Sequence, residues 1–172
     1  MIVWIVGLAG SGKTTVGRQV HAGWQAADPA TVLIDGDEMR AIFAHDRGEA
    51  AYTVEGRRIN SDRIRALCAW LDRQGINVVC CILSIFPEAR AANREEFPDY
   101  LEVWLDAPRA DLDARRPIYG EARAGTRANV VGVDIPFEAP AAPDLHFDTG
   151  SATGRPAEEI AAEILRRIGV AE

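Results

Sequence analysis

Apolar residues are distributed along the chain in two alternating patterns. Short runs rich in β-branched residues predict five strands, at residues 2–6, 31–34, 76–83, 100–105 and 144–147. Between them, apolar positions at helical spacing predict helices at residues 13–25, 38–44, 54–73, 87–96, 108–115 and 156–168. Because the strands are apolar on both faces and helices separate them, we expect an α/β fold. Its core would be a five-stranded parallel sheet in a three-layer α/β/α sandwich.

The segment from residue 116 to residue 143 follows neither pattern. It is rich in Gly, Pro, Ala and Arg, and no apolar period runs through it. Connections of this length inside a compact domain are usually functional, and some of them close over a bound ligand. We therefore expect a lid at about residues 109–136, within a single domain that covers residues 1–172.

A glycine-rich turn joins the first predicted strand to the first predicted helix. Residues 7–14 match G-x-x-x-x-G-K-[ST], in which backbone N–H groups surround phosphate oxygens at a helix N-terminus. Lys13 would reach the β- and γ-phosphates, and the hydroxyl of Thr14 would bind Mg²⁺. The sequence therefore predicts ATP and Mg²⁺ as cofactors. The residues expected to bind them are Gly7, Gly10, Ser11, Gly12, Lys13, Thr14 and Thr15.

Two carboxylates, Asp35 and Asp37, follow the second predicted strand. Carboxyl ends of parallel strands meet at one edge of a sheet, so both should face the phosphate-binding loop. We assign Asp35, with Thr14, to the metal and Asp37 to the acceptor, whose hydroxyl proton it would accept. With Lys13 they form the expected catalytic set. The alternative is an Asp-Gly turn that only caps the next helix.

Basic and polar residues after these carboxylates suggest a site for an anionic acceptor. Arg40 lies about one helical turn after Asp37. Arg57, Asn60 and Arg63 recur at a spacing of three on the long predicted helix, so they share one face. Arginine side chains suit bidentate binding of phosphate, although charged runs also occur on solvated helix faces. Ser84, at the end of the third strand, is either a hydrogen-bond donor to substrate or a turn residue.

Arginines are also concentrated in the predicted lid. Lids of phosphotransferases exclude water and bring cations to the charge that develops on the transferring group. For each arginine taken singly, a solvated surface position is an equal alternative. The lid candidates are Arg115, Arg116 and Arg123, with Arg127 beyond them.

Composition narrows the classes of partner. The net charge is −7, and a chain this acidic is not expected to hold nucleic acid. The three cysteines include an adjacent pair and no C-x-x-C, which favours core positions over disulfides or zinc. No signal-like segment opens the chain, and no apolar run approaches the ~20 residues of a membrane span. We expect no membrane partner and a cytoplasmic location.

These motifs resemble those of the adenylylsulfate kinases, which transfer the γ-phosphoryl of ATP to the 3′-hydroxyl of adenosine 5′-phosphosulfate. The similarity extends from Val3 to about Thr149. Besides the phosphate-binding loop, it rests on Asp-Gly-Asp at 35–37 followed by Arg40. It also rests on Gly-Val-Asp-Ile-Pro-Phe-Glu-Ala-Pro at 132–140, a more specific stretch than the loop.

The resemblance implies a P-loop nucleoside-kinase-like fold and a Mg²⁺–ATP site. It also implies an acceptor nucleotide held by Arg40, Arg57 and Asn60, with the carboxylate of Asp37 near the 3′-hydroxyl. The expected partner is thus a small-molecule nucleotide, and a homodimer is an open alternative for the assembly.

The departures from the family pattern lie on the acceptor side. The family usually carries R-D-x-K-G-L-Y before the lid, where this chain has Arg-Arg-Pro-Ile-Tyr at 115–119, shorter and without the lysine. The family usually places adenine between two phenylalanines, whose positions correspond to Tyr52 and about Val130. One aromatic face is therefore lost. After Ser84, Ile85 replaces the expected proline.

These departures favour a kinase with an altered acceptor. The runs at 82–87 and 129–132 are similar to adenylylsulfate-kinase-like enzymes of surface-polysaccharide gene clusters, one of which phosphorylates the 3′-hydroxyl of cytidine diphosphoramidate. We expect an ATP-dependent kinase for adenosine 5′-phosphosulfate or a close analogue. The alternatives are a cytidine diphosphoramidate kinase in capsule modification and a non-catalytic nucleotide-binding module.

Overall fold

Five parallel strands form the centre of the protein, whose computed structural model describes residues 1–171. In chain order the strands are β1 (Ile2–Val6), β2 (Thr31–Asp35), β3 (Asn77–Ile82), β4 (Tyr100–Asp106) and β5 (Leu145–Asp148). Across the sheet their order is β2-β3-β1-β4-β5, and every neighbouring pair runs parallel. The predicted five-stranded parallel sheet is confirmed.

Helices connect the strands and cover the sheet. They are α1 (Lys13–Ala27), α2 (Gly36–Ile42), α3 (Val54–Arg73), α4 (Pro87–Glu96), α5 (Arg109–Arg115), α6 (Ile118–Arg123) and α7 (Ala157–Arg167), with a 3₁₀ helix at Glu49–Tyr52. Helix α2 begins two residues before the predicted start, because the Asp35 carboxylate accepts a hydrogen bond from the Asp37 N–H at 2.9 Å and caps it. Within residues 1–171, none of the helices combines the length and apolar character needed to cross a bilayer.

Two apolar layers attach the helices to the sheet. On one face, α1 and α7 pack against β1 and β4, and Val20 and Ile160 are fully buried between them. On the other face, α3 packs on β1 and β3 around Ile64 and Cys80. All five residues of β1 are buried, since a central parallel strand is covered on both faces. The predicted sandwich is therefore confirmed.

The carboxyl ends of β1, β2 and β3 bring three segments to one edge of the sheet. The glycine-rich turn follows β1, Asp35 is the last residue of β2, and Ser84 lies two residues beyond β3. The register aligns Asp35 with Cys81 of β3, and Cys81 with Ile5 of β1. Residues distant in sequence thus meet around one crevice, as expected for an open parallel sheet.

The segment predicted as an irregular lid contains more regular structure than expected. Helix α6 lies outside the predicted helices, and an isolated bridge joins Val131 to Ile135. Six residues are too few to show an apolar period, and isolated helices of this length are unstable in water. Helix α6 is instead held by packing, because Tyr119 belongs to a buried apolar cluster against which Leu8 and Ala9 of the glycine-rich turn also pack.

Candidate active site

A cleft of about 1140 Å³ lies along the carboxyl edge of the sheet. Its volume is slightly above the range of about 300–1,000 Å³ that is usual for small-molecule sites. The predicted site residues that line it are Gly10, Ser11, Gly12, Lys13, Thr14, Thr15, Asp35, Asp37, Arg40, Tyr52, Arg57, Asn60, Ser84, Arg115, Arg116 and Val130. Gly7 and Arg123 are outside the lining.

The glycine-rich turn has the backbone shape of a phosphate cradle. Gly10 and Gly12 have φ values of 88° and 92°, which residues with a side chain rarely adopt. Helix α1 begins directly after Gly12, so its unpaired N–H groups face the cleft. The Ser11 hydroxyl is buried without a hydrogen-bond partner among residues 1–171. A phosphate oxygen would satisfy a donor of this kind.

Lys13 is folded back against the same turn. Its Nζ donates a hydrogen bond to the backbone oxygen of Leu8 at 2.9 Å. Burial lowers the pKa of Lys13 from 10.5 to about 8, an effect that the carboxylates of Asp37 and Asp35 oppose. An anion beside Nζ would raise this pKa again. The free site therefore favours a negatively charged ligand.

Thr14 and Asp35 provide paired oxygen atoms at the start of α1 and the end of β2. The Thr14 hydroxyl donates a hydrogen bond to Asp35 Oδ2 at 2.7 Å. Mg²⁺ prefers oxygen ligands and commonly binds one or two protein oxygens together with substrate phosphates and water. The two side chains therefore fit this cation. Within the described residues, no group of three or more His, Cys, Asp and Glu could hold a metal alone.

Asp37 lines the cleft together with the phosphate cradle and the arginines. Its carboxylate raises the pKa of Lys13 on one side and of Arg40 and Arg57 on the other, against the larger lowering effect of burial. These couplings place the carboxylate within electrostatic reach of all three cations. Asp37 and Lys13 therefore line one cleft and interact electrostatically across it.

The basic end of the cleft is built from arginines that also hold backbone carbonyls. Arg40 donates to the Ala51 oxygen at 2.8 Å, and Arg57 donates to the oxygens of Tyr52 at 2.9 Å and Asn129 at 2.8 Å. The guanidinium carbons of Arg40 and Arg57 lie 5.1 Å and 5.9 Å from the centre of the Tyr52 ring. Arg57 thus joins α3 to the 3₁₀ helix and to the lid.

Asn60 and Ser84 complete the floor of this end. Asn60 is 2% exposed, and its Oδ1 is buried without a hydrogen-bond partner within residues 1–171. Ser84 adopts a left-handed backbone with φ of 53°, and its Oγ accepts a hydrogen bond from Trp4 Nε1 at 3.1 Å. Left-handed residues with side chains are uncommon and tend to occur at functional sites.

Val130 forms part of the lid wall without an aromatic ring. It is 4% exposed and packs with Leu112 and Tyr119 in an apolar cluster. The Asp134 carboxylate accepts hydrogen bonds from the backbone N–H groups of Asn129 and Val130, which fixes this turn. Tyr52 is therefore the one ring of the predicted stacking pair that is present.

The arginines of the predicted lid occupy different environments, and Arg127 lines the cleft as well. Arg115 donates to the backbone oxygens of Gly10 at 3.1 Å and Thr149 at 2.8 Å. Arg123 forms an ion pair with Asp113 at 2.8 Å, away from the cleft. Arg116 lines the cleft, and a methyl group added at Gly10 would lie 3.0 Å from its Cγ.

Two side chains that support the site were not singled out from the sequence. Arg90 of α4 is 5% exposed and donates to the backbone oxygens of Ser84 and of Glu138, the latter at 3.1 Å. The Tyr119 hydroxyl donates to the Ala9 oxygen at 2.7 Å. The Glu138 and Ala9 carbonyls lie 48 and 110 residues from their donors, and no spacing in the sequence signals such contacts.

The parallel sheet and the phosphate cradle after β1 define the class of P-loop kinases. Within that class, the chain belongs to the adenylylsulphate kinase family, whose model matches residues 1–148. The family and fold predicted from the sequence are confirmed.

Comparisons with individual proteins agree with membership of this family. The bifunctional enzyme NodQ of Azospirillum brasilense is 35% identical over 99% of this chain, which spans only 28% of that enzyme's length. Cytidine diphosphoramidate kinase of Campylobacter jejuni is 34% identical over 82% of each chain. The structure is also similar to that of the APS kinase CysC of Mycobacterium tuberculosis in complex with AMPPNP and APS. The TM-score is 0.82, with 28% identity over 98% of this chain and 96% of the other.

Proposed function

We propose that this protein transfers the γ-phosphoryl group of Mg²⁺–ATP to the 3′-hydroxyl of a nucleotide acceptor, with adenosine 5′-phosphosulfate as the first candidate. One observation carries the proposal. One cleft is lined by the phosphate cradle, by Arg40 and Arg57, and by Asp37, whose carboxylate acts electrostatically on Lys13 and on both arginines. Family membership and the APS complex of the structural relative support this acceptor.

The donor end would bind the triphosphate through backbone N–H groups and the Ser11 hydroxyl. Lys13 would exchange its hydrogen bond to the Leu8 carbonyl for one to the β- and γ-phosphates and stay protonated. The oxygens of Thr14 and Asp35 would hold Mg²⁺, which supplies charge neutralisation on the phosphates. Together these contacts fix the γ-phosphorus in line with the acceptor end.

The transfer would proceed in line, without a phosphoenzyme. The acceptor hydroxyl oxygen forms a bond to the γ-phosphorus while the bond from that phosphorus to the β,γ-bridging oxygen breaks, and ADP leaves. The hydroxyl proton passes to the carboxylate of Asp37. Positioning and charge stabilisation by the cleft supply the rate enhancement.

The acceptor end would bind the anionic part of the nucleotide. Arg40 and Arg57 present positive charge there, and the buried Asn60 Oδ1 offers an acceptor for a ligand N–H or O–H. Ser84 adds a hydroxyl and a backbone conformation fixed by Arg90. The Tyr52 ring would stack on the base, which supplies about 1–3 kcal/mol in aromatic–base pairs.

Cytidine diphosphoramidate is the second candidate acceptor. Val130 stands where the family usually has a second ring, so the base would stack on Tyr52 alone, and a smaller pyrimidine needs less stacking surface. The relative from Campylobacter jejuni carries the name of this activity. A nucleotide-binding module without catalysis is less well supported, because Lys13, Thr14 and Asp35 are all in place.

The acceptor position can be tested by ³¹P NMR of the reaction mixture. With Mg²⁺–ATP and adenosine 5′-phosphosulfate, we expect a new monoester resonance coupled to the ribose 3′ proton. Asp37→Asn should lower the rate by about 10²–10⁴-fold while ATP affinity stays unchanged. The matched control, Asp62→Asn on the exposed face of α3, should leave the rate unchanged. No new monoester with either acceptor candidate would contradict the proposal.

We further propose a cytoplasmic location, where ATP and nucleotide acceptors are available, and keep the homodimer as a prediction. Cell fractionation and light scattering of the purified protein test the two statements. Recovery in a membrane or periplasmic fraction would contradict the first, and a monomeric mass would contradict the second.

A further inference from the structure

We propose that Trp4 and Arg90 are positioning residues for the acceptor end of the cleft. Neither side chain lines the cleft, but both bind Ser84, which does. Together they direct the Ser84 hydroxyl toward the acceptor as a hydrogen-bond donor, and Arg90 also holds this floor against the lid wall. The inference rests on the proposed function in one respect, which is that the acceptor binds at this end of the cleft.

The Ser84 hydroxyl keeps one proton for a ligand. Trp4 lies buried in the middle of β1, and its Nε1 donates a hydrogen bond to Ser84 Oγ at 3.1 Å. An indole N–H can only donate, so Ser84 Oγ is the acceptor in this hydrogen bond and retains its own proton. Within residues 1–171, that proton is donated to no protein atom. Because Ser84 lines the cleft, an oxygen of the bound acceptor is the partner that remains.

Arg90 fixes the backbone of the same serine. Its Nη1 donates a hydrogen bond to the Ser84 oxygen. Ser84 has a left-handed backbone with φ of 53°, which a residue with a side chain adopts only where its surroundings enforce it. Arg90 is buried and forms no ion pair in the described part of the chain. A buried cation is costly unless its donors are satisfied, so the carbonyls that it binds hold it in one orientation.

The other contact of Arg90 joins the floor of the cleft to the lid wall. Its Nη2 donates to the Glu138 oxygen at 3.1 Å, near the end of the stretch 132–140. This stretch begins two residues after Val130, which lines the cleft. The guanidinium is planar and its donors form a rigid fork, so it keeps the two carbonyls at a fixed separation. Arg90 therefore ties Ser84 to the segment that carries the opposite wall.

Arg94 provides a matched comparison one helical turn further along α4. It also holds a carbonyl after the lid, that of Ala142 at 2.9 Å, and it pairs with Asp144 at 3.0 Å. It does not bind Ser84 or line the cleft. Removing either arginine loosens the contact between α4 and the chain that follows the lid, but only Arg90 reaches the cleft floor. A difference between the two variants therefore separates positioning from general stabilisation.

Acceptor binding tests the proposal independently of turnover. Isothermal titration uses adenosine 5′-phosphosulfate and, separately, cytidine diphosphoramidate, each with Mg²⁺–ADP present. For the acceptor that binds the wild type more tightly, Arg90→Gln, Trp4→Phe and Ser84→Ala should each weaken binding by about five- to tenfold, as for loss of one hydrogen bond. Affinity for Mg²⁺–AMPPNP should change less than about twofold in the same variants. Arg94→Gln should leave both affinities unchanged.

Double-mutant cycles test whether Trp4 and Arg90 act through Ser84. Each variant is combined with Ser84→Ala, and the joint loss of acceptor affinity should fall short of the product of the single losses by at least about threefold. A merely structural role predicts that the losses multiply. Melting temperatures within about 2 °C of wild type confirm folding. If Arg90→Gln does not fold, Arg90→Lys replaces it, because one ammonium group lacks the fork that holds both carbonyls.

Hydrogen exchange tests the bridge without any acceptor. Arg90→Gln should speed amide exchange both in residues 83–86 and in residues 137–139, whereas Arg94→Gln should speed it in residues 141–144 alone. Losses that multiply in the cycles, equal losses for acceptor and AMPPNP, or faster exchange in only one of the two segments would overturn the assignment. If the wild-type protein binds an acceptor but transfers no phosphoryl group to it, only the proposed function fails.

Discussion

The donor end and the acceptor end of the cleft are constructed in different ways. The donor end is one continuous turn, in which Gly10, Gly12 and Lys13 are fixed by the strand before them and the helix after them. The acceptor end is assembled from α2, α3, the 3₁₀ helix, the turn after β3 and the lid. Its arginines bind backbone carbonyls of other segments as well as facing the cleft.

This difference separates phosphate binding from acceptor selection. Substitutions at the donor end should act on chemistry common to all P-loop kinases. Substitutions at the acceptor end should alter both acceptor binding and the connection between α3 and the lid, because Arg57 serves both. Two departures from the family pattern, at Val130 and Ile85, lie where the cleft is assembled from separate segments. The third, at residues 115–119, was expected on the acceptor side, but it contacts the phosphate-binding loop at the donor end.

At the donor end, the largest effect is expected from Lys13→Ala. Removing a cation aimed at the charge that develops in the transition state should lower kcat/KM by about 10²–10³-fold. The ADP-release rate measures this, with circular dichroism to confirm folding. A loss smaller than about threefold would mean that phosphate binding at the donor end does not depend on Lys13.

Arg57→Ala should show the dual role of the acceptor end. We expect the acceptor KM to rise by about 10–100-fold, as for loss of hydrogen bonds to a charged group, with the KM for ATP changing much less. Steady-state kinetics against each substrate separates the two effects. The control is Arg63→Ala on the same helix, whose exposed side chain lies near the Phe43 ring outside the cleft and should be neutral. Equal changes in both KM values for Arg57→Ala would contradict the division between the two ends.

The pH dependence of nucleotide affinity should report on Lys13. In the free protein burial sets its pKa at about 8 instead of 10.5, and bound phosphate favours the charged form. Affinity for Mg²⁺–AMPPNP should therefore fall above about pH 8, by at most tenfold per pH unit. Calorimetry in buffers of different ionisation enthalpy should show proton uptake on binding at about pH 9. Binding without proton uptake would contradict this.

The lowered pKa of Lys13 also makes stability depend on pH, but in the opposite direction to nucleotide affinity. The folded-state pKa of Lys13 lies below the unfolded value, so the unfolded chain binds more protons between about pH 8 and 10.5. The contribution of this group to the unfolding free energy, without nucleotide, therefore rises with pH across that window. Denaturant titrations of the wild type and Lys13→Met would show a difference that narrows as pH rises.

The smallest effect is expected from Tyr119→Phe. The change removes the hydrogen bond to the Ala9 carbonyl from a fully buried side chain and should lower the unfolding free energy by about 1 kcal/mol. The KM for ATP should rise a few-fold, because α6 no longer holds the loop. Urea unfolding and kinetics measure the two effects. An unchanged KM for ATP would show that the lid is not needed to shape the donor end.

The two ends also differ in how far the sequence predicts them. The cradle from Gly7 to Thr15 is local, so its motif and flanking elements predict its shape. The acceptor residues Arg40 and Arg57 could be proposed from helical spacing and from the family resemblance. Their contacts with Ala51 and Asn129 could not, since these depend on segments up to 72 residues apart.

Helix α6 and Arg90 illustrate the same limit. Helix α6 is too short to carry an apolar period, and its position depends on packing against Leu8 and Ala9. Arg90 resembles any charged residue on an exposed helix until its contact with the Ser84 carbonyl is seen. The central strands β1 and β3, in contrast, were predictable to within one residue, because burial on both faces makes their sequences largely apolar.

The most direct test of phosphoryl transfer to a nucleotide 3′-hydroxyl measures ADP release from Mg²⁺–ATP. Separate reactions contain adenosine 5′-phosphosulfate or cytidine diphosphoramidate at the same concentration. The account predicts that at least one acceptor stimulates ADP release well above the rate without acceptor, and that Asp37→Asn abolishes the stimulation. Preference for adenosine 5′-phosphosulfate would mean that an adenine site tolerates Val130. Preference for cytidine diphosphoramidate would mean that Val130 accompanies a change of acceptor base from adenine to cytosine. No stimulation by either acceptor would contradict the account.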